Sequence, residues 1–127
     1  MVIKEKGYYD FHWQQTGGKE HPYIAEKTKI ILDIMPQDVR TIIDIGCGDG
    51  AITNVLADRY TVIGGDISLD GLKNLSAKVH PVVISADFLP FQDKSAEMVF
   101  SSELLEHLPD NVFTNAVSEI KRISKKY

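Results

Sequence analysis

The chain has 127 residues, the size of one ordinary domain, so a single hydrophobic core is expected. Apolar residues make up 43% and charged residues 25%, with a net charge of −4 and no large basic block, which argues against a long nucleic-acid backbone as partner. The lone cysteine, Cys47, excludes an internal disulfide, and no apolar stretch approaches the ~20 residues that cross a bilayer. The N-terminal MVIKEKGYYDFHW is too polar and aromatic for a signal peptide, so the cytoplasm is the expected compartment.

Residues 1–22 show no periodicity but gather Tyr8, Tyr9, Phe11 and Trp13, which read as a lid-like segment or as one packed outside the sheet. Gly17-Gly18 breaks the chain, and Pro22 suits the first turn of a helix. Residues 23–127 form the expected core. Ile24, Thr28, Ile31, Leu32 and Met35 fall on one helical stripe, ended by Pro36. A first strand is expected over 41–46, and a helix over 51–60 with Ile52, Val55 and Leu56 on its inner face. A second strand over 61–67 follows, and Ser68 then caps a helix carrying Leu72, Leu75 and Val79. PVVISAD (81–87) reads as strand three and AEMVFSS (96–102) as strand four, with a polar loop between them. Asp110 is placed as cap of a last helix with Phe113, Val117, Ile120 and Ile123 at helical spacing. Strands alternating with helices or loops argue for a parallel, Rossmann-like α/β sheet with helices on both faces.

The stretch IIDIGCGDGAIT (42–53) carries the chemistry. An apolar strand meets glycines at 46, 48 and 50 and then a helix, the arrangement that holds adenosine-bearing cofactors. Gly46, Gly48 and Ala51 fit the dinucleotide pattern, whereas Gly46, Gly48 and Gly50 fit the GxGxG of methyl donors. Asp44, Asp66 and Asp87 recur at near-equal spacing, each closing an expected strand, so three carboxylates are predicted along one crevice. Asp66, with Ile67 beside it, suits the ribose hydroxyls, which NAD and S-adenosylmethionine share. Asp87 followed by Phe88 suits an adenine, the acid accepting from its amino group and the ring covering its face. Asp44 would repel a diphosphate and attract a sulfonium or ammonium. His12, His21 and His80 have no ligand spacing, so no metal is expected.

DIGCGDG, GGDIS and ADFLPFQDKSAEMVFSSELLEHLPD together resemble successive motifs of class I S-adenosylmethionine-dependent methyltransferases, nearest to the small-molecule branch of ubiquinone and menaquinone biosynthesis. The resemblance implies a sheet of order 3-2-1-4, with Gly46, Cys47 and Gly48 bordering the methionine part of the cofactor and Asp66 its ribose. It puts Asp87 and Phe88 at the adenine, Ser101 and Ser102 beside the cofactor, and a small molecule as methyl acceptor. His107, in LLEHL, is the candidate base. Neither an Asn/Asp-Pro-Pro-aromatic motif nor a Pro-Cys follows strand four, which sets aside two amino- and carbon-methylating subtypes. The family's sheet continues beyond strand four, so the resemblance implies that its last strands are missing. It further implies an open fourth-strand edge that a homodimer could cover. A nicotinamide-dependent oxidoreductase, a non-catalytic S-adenosylmethionine-binding module and aminopropyl transfer stand as the alternatives.

Overall fold

The computed structural model describes residues 24–127. The aromatic segment 1–22 and its lid-like reading, with His12 and His21, lie outside the described residues. Helix α1 (Ile24–Ile34) leads into β1 (Thr41–Ile45), and a single turn of helix, α2 (Thr53–Leu56), precedes β2 (Thr61–Asp66). A second short helix, α3 (Leu69–Leu72), leads to β3 (Val79–Val83). After a long loop come β4 (Met98–Phe100), a 3₁₀ turn (Leu105–His107) and α4 (Asp110–Ile123). The strands form one parallel sheet in the order β3-β2-β1-β4, as expected.

Side chains alternate across the sheet and so build two cores. Ile42 and Val62 point to the face shared by Met35, Val39 and Leu56, with Ile31 and Leu32 of α1 packed against them. Ile43 and Ile45 point to the opposite face, which Ala116 and Ile123 of α4 cover. The buried side of α4 runs through Val112, Ala116 and Ile123; the expected Ile120 and Ile123 do face the core, while the first half of the stripe is shifted by one position. Phe113 and Val117 are exposed instead, because two apolar rows at helical spacing lie side by side and the smaller Ala116 fits closest to the sheet. Pro109 occupies the cap position, so Asp110 is the first helical residue; the Phe113 N–H donates to the Pro109 carbonyl.

The expected third strand is displaced. The helix after Ser68 lasts one turn, although Ser68 does cap it by accepting from the Gly71 N–H. Asn74 donates its side-chain amide to the carbonyls of Asp70 and Gly71, competing with helix continuation, and Gly71 is itself a poor helix former. Val79 therefore starts β3 rather than ending a helix. Pro81 is tolerated within it because β3 lies at the sheet edge. Asp87 consequently lies beyond the strand, in a turn where Ser85 and Phe88 pair with each other. Strand β4 is likewise shorter than 96–102, which leaves Ser101 and Ser102 just past its end.

The edge expected to be open on strand four is covered at its start. The Ala96 N–H donates to the Ile123 carbonyl at 3.0 Å, and the Lys125 N–H donates to the Ala96 carbonyl at 2.7 Å. The Val99 N–H donates to the Tyr127 carbonyl at 2.9 Å. The residues after α4 thus lie alongside the start of β4. Asp38 fixes the same segment through Lys126 and the Tyr127 hydroxyl.

Leu56 is fully buried between α2 and the sheet. Leu56→Ala should lower unfolding free energy by ~2–5 kcal/mol through lost burial and a residual cavity. Urea denaturation monitored by circular dichroism checks this, and a loss below about 1 kcal/mol would mean the site collapses around the truncation.

Candidate functional site

The parallel register sets Ile45 beside Gly65, so the glycine turn begins where β2 is still paired. The N–H groups of Gly46 and Cys47 both donate to the Gly65 carbonyl, at 2.7 and 3.1 Å. Gly46, Gly48 and Gly50 all have positive φ (77°, 57° and 83°), which puts the irregularity on the GxGxG set rather than on Ala51. A β-carbon on Gly46 would lie 2.9 Å from Leu104, so this glycine admits the side chain that follows β4 as well as bordering the cavity.

A cavity of about 170 Å³ opens between the first turn of α1, the glycine turn and the end of β4. Asp44, Gly46, Cys47, Gly48 and Asp49 line one wall, Ile24 and Lys27 a second, and Phe100, Ser102 and Glu103 a third. Lys27 and Glu103 form an ion pair of 2.8 Å joining the second wall to the third. Glu103 has φ 56°, a left-handed conformation costing a non-glycine residue on the order of 1–3 kcal/mol, which marks this wall as held in place by its surroundings.

Asp44 is buried and accepts a hydrogen bond from the Thr53 hydroxyl at 2.7 Å. Burial raises its pKa to about 7, the Thr53 bond works against that rise, and the negative charge of Asp66 adds to it. Burial and the neighbouring charges of Asp44 and Asp66 also push the Cys47 thiol upward, which leaves it a packing group rather than a thiolate. Asp66 accepts the Gly48 N–H on one oxygen and the Ser68 N–H on the other, both at 2.9 Å.

Residues 43–127 match the family described as "Methyltransferase domain". This chain belongs to that family. Among similar proteins is the uncharacterized protein MJ0638 of Methanocaldococcus jannaschii, 36% identical over 84 residues, covering 66% of this chain and 36% of that one. The ubiquinone biosynthesis O-methyltransferase of Hydrogenovibrio crunogenus is 29% identical over 109 residues, covering 77% of this chain and 45% of its own. The chain therefore spans less than half the length of these relatives. Phosphoethanolamine N-methyltransferase 1 of Haemonchus contortus, solved with phosphoethanolamine and S-adenosylhomocysteine, superposes with a TM-score of 0.78 at 19% identity. That match covers 98% of this chain and 31% of the other, and it shows the shared fold.

Of the residues singled out in the sequence, Asp44, Gly46, Cys47, Gly48 and Ser102 line one cavity. Asp66 adjoins it through its bond to Gly48, with Ile67 following at the end of β2. Ser101 spends its hydroxyl on the Ile45 carbonyl at 3.0 Å, tying β4 to β1. Asp87 accepts from the Ser85 hydroxyl, which holds its carboxyl below the usual range. Phe88 is 77% exposed on the same turn, unlike a core aromatic. His107 is exposed at the end of the 3₁₀ turn, away from the described lining of the cavity.

Lys27, Asp49, Thr53 and Glu103 were not read as site residues. Thr53 could have been found, since the expected helix after the glycines sets it close behind Asp44. The Lys27–Glu103 pair joins positions far apart in the chain, for which local patterning gives no signal. Among the described residues, no group of three or more His, Cys, Asp or Glu side chains could hold a metal ion. Among them, too, no helix is long and apolar enough to cross a membrane.

The raised pKa of Asp44 has a defined sign. The folded chain keeps a proton up to about pH 7 that the unfolded chain releases near 3.8. This group's contribution to stability is therefore full below about pH 4 and is lost as pH rises through 7. Between pH 5 and 8 the Asp44→Asn variant should lose less stability than wild type, as read from melting temperatures across that range. Parallel curves would show that Asp44 does not titrate there.

Proposed function

We propose that this chain is the cofactor-binding part of a class I S-adenosylmethionine-dependent methyltransferase acting on a small molecule. One observation carries the reading: Asp44 and Asp49 line the cavity together with a turn of three positive-φ glycines. Such a wall suits the cationic methionine end of that cofactor and opposes the diphosphate of a nicotinamide dinucleotide. Family membership and the names of the relatives support the same reading.

When bound, the cofactor supplies a methyl group on a sulfonium, already activated toward in-line displacement. The chain's own residues then bind, orient and exclude water. The glycine turn permits close approach of the backbone, and Asp44 offers a carboxylate to a cation. Lys27 and Glu103 present a paired positive and negative group, matching the carboxylate and ammonium of an amino-acid moiety. Asp66 accepts from ribose hydroxyls, with Ile67 beside it, and the Asp87–Phe88 turn serves the adenine. Ser102 lies in the cavity wall where the acceptor would approach. His107 is the candidate base where the acceptor has a proton to lose, although it stands outside the described lining of the cavity.

Isothermal titration of the chain with S-adenosylhomocysteine and, separately, NADH tests this directly. Binding of the first and none of the second is expected; tight NADH binding alone would overturn the assignment. In the same assay Asp66→Ala should weaken binding by about 1–3 kcal/mol, from lost charged hydrogen bonds. An unchanged dissociation constant would remove Asp66 from the site.

A further inference from the structure

The Asp87–Phe88 turn is held from behind by two side chains of α4. Immediately after Phe88 the chain plunges inward, with Leu89 buried in the core. The Leu89 N–H donates to Glu119 Oε2 at 2.8 Å, and Arg122 Nη2 donates to the Leu89 carbonyl at 2.9 Å. Arg122 Nη1 donates to the Phe91 carbonyl and to the Asp93 carboxylate, each at 2.8 Å. Arg122 also grips Glu119 in a fork, Nε to Oε1 at 2.7 Å and Nη2 to Oε2 at 2.9 Å. The Lys94 N–H donates to the Arg122 carbonyl. Both backbone polar groups of the residue that follows Phe88 are thus fixed by one ion pair about thirty positions downstream.

Both partners are partly solvent-accessible, and exposed ion pairs add little to global stability. What this pair supplies is geometry. A guanidinium fork reaches Leu89, Phe91, Asp93 and Glu119 at once, which an ammonium cannot do. Its contacts converge on the segment that carries the adenine-facing turn, and neither residue belongs to the described cavity wall.

We propose that Arg122 and Glu119 are positioning residues that set selectivity for the adenine 6-amino group by fixing where the Ser85–Phe88 turn holds Asp87. The inference rests on the reading of that turn given under Proposed function. An Asp87 carboxylate accepts from a 6-amino group and repels a 6-oxo group, so a correctly placed turn discriminates adenosine from inosine. A loosened turn binds both more equally.

The test compares binding of S-adenosylhomocysteine and S-inosylhomocysteine by titration calorimetry, with melting temperatures recorded alongside. Wild type should prefer the adenosine compound. Arg122→Lys, which keeps the charge and loses the fork, should reduce that preference roughly tenfold, as should Asp87→Asn. The double variant should show no further reduction, because both changes act on one contact. Glu119→Gln retains an acceptor for Leu89 and serves as a second variant where Arg122→Lys folds poorly; it too should lower the ratio. A ratio unchanged in the folded variants, with only affinity or melting temperature lowered, would overturn the inference while leaving the cofactor assignment intact. A wild-type chain that binds neither compound would overturn that assignment and this inference together, and equal binding of both by wild type would overturn this inference and the adenine role of Asp87 while leaving the cofactor assignment intact.

Discussion

Two amide hydrogens of the glycine turn, those of Gly46 and Cys47, share the carbonyl of Gly65, and the next glycine amide reaches the carboxylate of Asp66. The end of β2 therefore dictates the shape of the turn that follows β1. Gly46 runs in a left-handed conformation because its amide has to meet a carbonyl on the neighbouring strand. From this junction the rest of the site is laid out. Asp66 reaches forward to the Ser68 amide at the cap of α3, and the turn forms one wall of the cavity. Leu104 packs against the face that Gly46 leaves bare, so the segment after β4 takes its place from the same turn.

Electrostatics work against the fold at this point. Asp44 lies on the face of β1 that also carries Ile42, a position that patterning alone would fill with an apolar side chain. Its carboxyl is excluded from water, stabilised by one hydroxyl and repelled by Asp66, and so binds its proton up to neutral pH. A buried acid that destabilises its own ionised form gains most from a bound cation, which supplies the charge the protein withholds. The thiol of Cys47 feels the same field and is pushed toward inertness. Cation attraction and thiol silence thus have one physical cause.

Local patterning was enough for the glycine turn and the placing of Asp44 and Asp66, because each depends on residues adjacent in the chain, whereas the strand order followed from the family resemblance. Patterning misplaced β3 because PVVISAD opens on an apolar run, while a turn at Ser85 and the side-chain bonds of Asn74 override that run. The buried face of α4 was misread for a related reason. Two rows, Val112–Ala116 and Phe113–Val117, both satisfy helical spacing, and only packing against the sheet chooses between them. Lys27 and Glu103 were invisible, since a pair that joins α1 to the segment after β4 exists only once the sheet has closed. The cover at the start of β4 was invisible for the same reason: it comes from residues 124–127, whose polar sequence carries no strand signal.

The glycine turn and the Asp87–Phe88 turn are consequently built by different means. The glycine turn is encoded between Asp44 and Ser68, where consecutive backbone amides and two carboxylates settle the geometry among themselves. The turn that carries Asp87 and Phe88 has no such internal frame, because β3 stops at Val83 and the turn beyond it has one bridge of its own. That turn has to be braced from outside, and Arg122 and Glu119 brace it from the last helix. Loop segments without ladder hydrogen bonds open at lower free energy than strands, so the braced turn is where the geometry responds most to distant changes. The placing of the Asp87–Phe88 turn is therefore a property of α4 as much as of the turn itself.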